Sequence, residues 1–419
     1  MPENLEGQIP DKVVGIVLAG GQGTRLFPLT QTRCKPAVGF GGKFRLIDIP
    51  ISNALNSGIT DLFIISQYFV PHLQEHLVST YHFDIFRHSQ IRLLAPEEHP
   101  LARVYFEGSG DAVRKNLEEL LKTPASYFLI LCGDQVYNID FQKILRFAKE
   151  TDADLVIASM AVGEKEAKRM GVLKIDQTSH ILDFFEKPKD PETLRNFALP
   201  GKDDPSFLGS MGIYIFKREA LISLLREKGD DFGLHLIPLQ IKKGKTFAYI
   251  YEGYWVDIGT IASFHQANLD LLTSQSCLNL YDEQNPIYTK FQKLPSPLIK
   301  NTHIENSLLS EGSVIEANEI QKSVIGLRSL IKTGTKIYNS ILMGNPFYSH
   351  QSPSIPKEFS IGKDCLIKDT IIDEQVRIGN KVRLINKKQL KQFDGNGIYI
   401  RDGIIIVAAG TELPDNFEL

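Results

Sequence analysis

Val13-Val14-Gly15-Ile16-Val17-Leu18-Ala19-Gly20-Gly21-Gln22-Gly23-Thr24-Arg25-Leu26 reads as a short apolar strand that runs directly into a glycine-rich turn. An unbroken apolar run is what a strand buried on both faces requires. The glycines let the backbone approach a polyphosphate closely, and successive N–H groups in such a turn form an anion-binding concavity. Two standard nucleotide motifs fail. A dinucleotide fingerprint needs a third glycine where Leu26 stands, and Gly244-Lys245-Thr246 ends like a Walker loop but has Leu239 in place of its first glycine. What remains is a glycine loop followed at once by Arg25 and then by Lys35-Pro36, two cations near whatever the loop cradles.

Outward from this strand, apolar runs alternate with amphipathic stretches as far as about Asp270, the pattern of an α/β domain with a largely parallel sheet. Leu62–Ser66 and Tyr127–Leu131 repeat the buried-strand signature and end in Gln67 and in Gly133-Asp134. Polar residues at the carboxyl ends of such strands line the ligand crevice of open α/β sheets, so they are functional candidates. Further strands are expected at Leu155–Val162, Ile181–Phe185, Met211–Phe216 and Thr246–Tyr251, with a helix over Thr260–Leu272 and a mixed sheet in the second half. After Thr273 the texture changes. Pro286, Pro295 and Pro297 mark a linker over 274–298, separating a domain at 1–273 from one at 299–419. In the second domain aliphatic residues recur every sixth position: Ile325, Ile331, Ile337, then Leu366, Ile372, Ile378, Leu384, with Val376 and Val382 in parallel. Six residues per face make a three-sided coil with each aliphatic inward, a β-helix, interrupted by a Pro- and Ser-rich loop near 345–357.

With 419 residues and a formal charge of −3, the chain can bury a large core and offers no electrostatic case for nucleic acid or an anionic membrane. No apolar run reaches the roughly 18 residues of a membrane span, and Met1–Asp11 lacks the pattern of a secretory signal, so a cytoplasmic protein is expected. Cys34, Cys132, Cys277 and Cys365 are dispersed without a C-x-x-C pair and read as reduced structural thiols.

Gly20-Gly21-Gln22-Gly23-Thr24-Arg25-Leu26 with Lys35-Pro36-Ala37 resembles the signature of sugar nucleotidyltransferases. The block Phe40–Asp48, continuing to Ser52-Asn53, is similar to that of the glucose-1-phosphate adenylyltransferase family. Gly108–Val113, Gly133-Asp134, Phe185-Glu186-Lys187-Pro188, Ser210–Tyr214 and Tyr254–Thr260 match in order along nearly the whole chain. The resemblance implies an α/β, Rossmann-like (GT-A-like) mixed-sheet nucleotidyltransferase domain followed by a left-handed parallel β-helix. It also implies adenylyl transfer from ATP to glucose 1-phosphate, giving ADP-glucose and diphosphate.

By the same resemblance, Gly20, Gly21, Gly23 and Thr24 hold nucleotide phosphates, while Arg25 and Lys35 neutralise the departing pyrophosphate. Asp134 and Asp257 hold Mg2+, which prefers a few carboxylates plus substrate phosphate oxygens. Gln67 and Gly108 meet the adenine; Gly171, Glu186, Lys187 and Ser210 meet the sugar phosphate. A homotetramer built on the β-helix flank and a small-metabolite effector are also implied. Thr32 stands where some members of the family carry an activator-binding lysine, and Gly110 and Met170 depart from the family pattern without removing a charged catalytic group. Two other readings remain: a uridylyl- or guanylyltransferase, and a non-catalytic regulatory subunit. His72-Leu73-Gln74-Glu75-His76 matches a zinc-peptidase pattern, but no third ligand follows it, and it reads as a structural helix face.

Overall fold

The computed structural model describes residues 12–82, 89–96, 98–99, 102–103, 105–199, 206–273, 278–348 and 358–419. Cys277 and most of the Pro- and Ser-rich loop lie outside them. Among the described residues a nine-stranded mixed sheet carries the first half of the chain. Its order is Ile181–Glu186, Gly171–Ile175, Ser206–Lys217, Tyr127–Cys132, Val13–Leu18, Asp61–Ile65, Gln90–Leu94. Leu155–Gly163 pairs with Ser206–Lys217 and with Thr246–Ile250.

Alternation along the central strands explains their composition. Val13 and Val17 face one core, with Leu62, Ile64, Leu129 and Leu131, against residues such as Ile51 and Ile144 of the helices Asp48–Asn56 and Phe141–Glu150. Val14 and Ile16 face the other, with Phe63, Ile65, Phe128 and Ile130, against Val113, Leu221 and Leu236. A strand covered by helices on both sides has no polar face, so its sequence is continuously apolar. Val13–Leu18 pairs in parallel with both Asp61–Ile65 and Tyr127–Cys132, so the strand order reverses at it. Crevices open at such switch points, beyond the carboxyl ends of the strands. Ser206–Lys217 runs antiparallel to its three neighbours, which makes the second half mixed. That strand begins at Ser206 rather than at Met211 as its apolar run suggests. Its first residues pair with Leu155–Gly163 despite the weak strand formers Gly209 and Ser210.

The helix Ile261–Asp270 starts on a capping box: Thr260 Oγ1 accepts from the Ser263 N–H at 3.1 Å, and Ser263 Oγ accepts from the Thr260 N–H at 3.0 Å. Beyond residue 297, parallel strands recur on three faces, as in the series His303–Glu305, Glu319–Gln321, Lys336–Tyr338, Leu366–Lys368, Arg383–Leu384. Ile325, Ile331, Ile337, Ile372, Ile378, Leu384, Val376 and Val382 all point into the coil, as their six-residue spacing predicts. Leu366 does not. It is half-buried, and its neighbour Ile367 takes the inward place, in register with Ile337 and Leu384. The step from Ile367 to Ile372 is five residues, as is the step from Ile337 to Leu342 in the coil beside it, so counting back six from Ile372 lands on the neighbour, Leu366. Residues with left-handed backbone, including Asn301, Asn339, Asp364 and Asp369, recur along this domain, since Asn and Asp tolerate that conformation. A hairpin, Gln392–Asp394 with Ile398–Arg401, leaves the coil and returns through Ile404–Val407.

The two halves share a core. Phe40, Leu46 and Phe264 pack with Val324, Ile341, Met343 and Ile406. Gly42 has φ +80°, and a Cβ there would lie 3.3 Å from the Gly326 Cα, so this glycine serves both the turn and the close approach of the β-helix.

Candidate active site

The glycine loop leaves Val13–Leu18 between the ends of its two parallel neighbours. The Ala19 N–H donates to the Ile65 carbonyl at 2.8 Å, and the Gly133 N–H donates to the Leu18 carbonyl at 3.0 Å. Gly23 has φ +67°, the conformation a side chain resists, and Thr30 Oγ1 donates to its carbonyl at 3.0 Å. Gly21 is exposed, with no atom within 4 Å of where its Cβ would be, so the turn offers open space to a ligand. Thr24 and Arg25 begin a 3₁₀ turn, and both are exposed.

Lys35, by contrast, is buried at the start of the 3₁₀ turn Lys35–Ala37. Its Nζ lies 2.6 Å from Asp134 Oδ2 and 3.8 Å from Asp257 Oδ1. The two aspartates are 123 residues apart in sequence and are joined by a two-stranded ribbon in which Asp257 pairs with Gln135, while the Ile258 N–H donates to the Asp134 carbonyl. Burial pushes the Asp257 carboxyl up from its ordinary range, and the charge of Asp134 adds to this; Lys35, Arg25 and Arg169 oppose it. Two converging carboxylates whose mutual repulsion is incompletely offset fit a hard divalent cation, with substrate phosphate oxygens completing its shell. Among the described residues no third His, Cys, Asp or Glu joins them.

Arg169 escaped sequence reading. A methyl at Gly259 would sit 2.7 Å from Asp257 Oδ2 and 2.8 Å from Arg169 Nη2, so this exposed guanidinium flanks the same carboxylate. Only its nearness to Gly171 hinted at it. Cys132, between the strand end and Asp134, donates from Sγ to the Gly212 carbonyl at 3.6 Å. Burial and the surrounding carboxylates push its thiol far up, so it is a protonated packing group and not a nucleophile.

A second cluster lies at the end of Ile181–Glu186. Glu186 occupies a slot between two glycines: a Cβ on Gly171 would be 2.9 Å, and one on Gly233 2.5 Å, from its Oε2. Lys187 has left-handed backbone, φ 49°, fixed by its N–H donating to the Met170 carbonyl at 3.0 Å, and its Nζ lies 2.8 Å from Glu186 Oε1. Ser210 is buried and its Oγ accepts from the Gly212 N–H at 3.3 Å. Gly233 carried no sequence signal.

Gln67 spans the gap between loop and neighbouring wall. Its Nε2 donates to the Gly20 carbonyl at 3.0 Å and its Oε1 accepts from the Phe106 N–H at 2.8 Å. Gly108 lies against the Asp230 carbonyl, which a Cβ would approach to 2.3 Å. In the His72–His76 segment His76 is structural, its Nε2 lying 2.6 Å from Oδ1 of the fully buried Asp48, which also accepts from Tyr81, Thr289 and the Arg45 N–H, while His72 and Glu75 are exposed. Gly244-Lys245-Thr246 runs into the strand Thr246–Ile250, with Thr246 buried and Lys245 paired with Asp152.

No helix among the described residues is long and apolar enough to cross a membrane. Residues 14–274 match the family described as nucleotidyl transferase, and residues 292–417 match the GLGC left-handed parallel beta-helix domain. The substrates that such a family implies are a nucleotide and a sugar phosphate. The glycine loop, the carboxylate pair and the following β-helix thus stand in the order these two matches require, and the chain belongs to the nucleotidyl transferase family, with the domain architecture of glucose-1-phosphate adenylyltransferases.

Proposed function

We propose that this protein transfers the adenylyl group of ATP to glucose 1-phosphate, releasing diphosphate. The observation that carries the reading is the convergence of Lys35, Asp134 and Asp257 beside the open glycine loop at the switch point of the sheet. The choice of adenine and glucose rests on the Phe40–Asp48 block and the GLGC-type β-helix.

Glucose 1-phosphate brings its own anionic nucleophile, so the protein needs to position two polyanions and offset their charge. A phosphate oxygen forms a bond to the α-phosphorus of ATP as the bond to the bridging β-phosphate oxygen breaks. The backbone of Gly20, Gly21, Gly23 and Thr24 cradles the nucleotide phosphates. Arg25 and Lys35 receive the charge that develops on the leaving diphosphate. Magnesium held by Asp134 and Asp257 would supply Lewis-acid neutralisation of the same oxygens. Gln67 and Gly108 shape the base pocket, the former by tying the glycine loop to Phe106. Lys187 offers a point charge to the sugar phosphate, and Glu186, with Ser210 and Gly171 beside it, accepts hydrogen bonds from sugar hydroxyls.

Residues 1–273 would form the catalytic unit, 274–298 the linker, and 299–419 the assembly and regulatory unit of a cytoplasmic homotetramer. A cavity of about 630 Å³ on the seam between them, lined by Lys43, Lys290 and Arg328 among others, suits an anionic metabolite effector. Diphosphate release from ATP, UTP, GTP and dTTP with glucose 1-phosphate and magnesium tests the reading. ATP should be strongly preferred; preference for another nucleotide would retain the mechanism and overturn the substrate.

A further inference from the structure

The turn that carries Lys35 is gripped from behind by the β-helix. Arg33, two residues upstream, is buried, with 7% of its side chain exposed. Its guanidinium pairs with Asp373 and, at 3.0 Å, with Glu374 Oε1, while its Nε donates to the Leu29 carbonyl at 3.1 Å. Arg45 closes the loop: its Nη1 lies 2.8 Å from Glu374 Oε1 and donates to the Ala37 carbonyl at 2.9 Å. One guanidinium therefore joins a β-helix carboxylate to the last residue of the turn Lys35–Ala37. The Glu374 N–H donates to Asp373 Oδ1 at 2.7 Å, which orients the two acids as a unit just after the strand Thr370–Ile372.

Arg33 and Asp373 are buried, Arg45 and Glu374 partly so, and taking charges out of water is costly enough that a packed apolar cluster would usually stabilise the fold as well. What an apolar cluster would not supply is direction. Arg33 ties the chain two residues before Lys35 to the β-helix, and Arg45 holds the Ala37 carbonyl two residues after it, while among the described residues the Lys35 ammonium pairs with Asp134 and Asp257. We propose that Glu374 is a positioning residue for the reaction: through Arg45 and Arg33 it fixes the turn Lys35–Ala37, and so sets the reach of Lys35 into the site. This rests on the reading of Lys35 as the cation that meets the departing diphosphate. It makes the β-helix a supplier of active-site geometry within one chain, whatever its part in assembly.

A double-mutant cycle on the full chain tests it, with kcat and KM for both substrates measured for Glu374→Gln, Lys35→Gln and the pair. The expected result is that Glu374→Gln lowers kcat about tenfold to a hundredfold with little change in either KM, and that it has no further effect once Lys35 is Gln. Glu374→Asp, which keeps the charge, should recover most of the loss; if Glu374→Gln does not fold, Arg45→Lys, which cannot hold Glu374 and the Ala37 carbonyl together, takes its place in the cycle with the same expected result. Effects that multiply in the pair would overturn the proposal and leave the role of Lys35 intact. Full activity in Lys35→Gln would instead bring down the reading of Lys35, and this proposal with it.

Discussion

The Lys35 ammonium lies 2.6 Å from Asp134 and 3.8 Å from Asp257, so this buried cation beside the glycine loop leans on the carboxylates that a divalent ion would also use. Its removal should therefore have two opposite effects. Lys35→Gln should lower kcat by about a hundredfold to a thousandfold, the usual loss when one preorganised charge stabiliser is deleted. It should also tighten Mn2+ binding to the substrate-free protein, because an internal competitor has gone. Calorimetric titration checks the second effect, and unchanged or weaker Mn2+ binding would contradict this geometry.

Glu186 sits in its slot between Gly171 and Gly233 with 15% of its side chain exposed. Glu186→Gln keeps the shape and removes the charge that sugar hydroxyls and Lys187 both meet. A hydrogen bond to a charged group contributes about 1.5–3 kcal/mol, so KM for glucose 1-phosphate should rise about tenfold to a hundredfold, with KM for ATP nearly unchanged. A rise confined to ATP would assign this cluster to the wrong substrate.

Gly108 meets backbone, not a yielding side chain: a Cβ there would be 2.3 Å from the Asp230 carbonyl oxygen. Gly108→Ala must push the Asp230–Asp231 segment away, although Asp111 and Ser109 are hydrogen-bonded to it. Overpacking of this kind costs about 1–3 kcal/mol. Thermal denaturation should show that loss together with a raised KM for ATP. A variant as stable as the parent would mean that the segment moves freely.

His265 gives the seam between the two halves a pH dependence. It is buried on the helix Ile261–Asp270, with Nε2 2.8 Å from the Asn339 carbonyl. Burial holds its pKa below the ordinary value of 6.5, outweighing the bond to Asn339 and the charge of Asp369. The folded state thus disfavours the proton. This contribution to stability is fully present above the unfolded pKa and is lost as pH falls through the folded one. The melting temperature should drop as pH goes from about 7 to about 5.5, and His265→Asn should flatten that slope. An equal slope in the variant would assign the effect elsewhere.

What could be read without coordinates follows from period and from chemistry. Val13–Leu18, Leu62–Ile65 and Tyr127–Leu131 were legible because burial on both faces leaves no polar residue to confuse the pattern. The inward residues of the β-helix were legible wherever successive ones lie six apart, and Leu366 misled because the step from Ile367 to Ile372 is five. Lys35, Asp134 and Asp257 stood out as charges at strand ends or beside glycines, and their meeting depends on the ribbon that pairs Asp257 with Gln135. Arg169 and Gly233 were not legible, since an exposed arginine after a short helix and a glycine in a turn look like ordinary surface until Asp257 and Glu186 are seen against them. The grip of Glu374 on Arg33 and Arg45 is likewise invisible in sequence, because the partners lie more than 300 residues apart and the charges cancel.

The central claim is the transfer itself, and ATP labelled at the α-phosphorus tests it most directly. With glucose 1-phosphate and magnesium, the label should appear in ADP-glucose, with unlabelled diphosphate as the other product, and Asp134→Asn should abolish the transfer. Label that remains in ATP, or that enters a product lacking glucose, would contradict it.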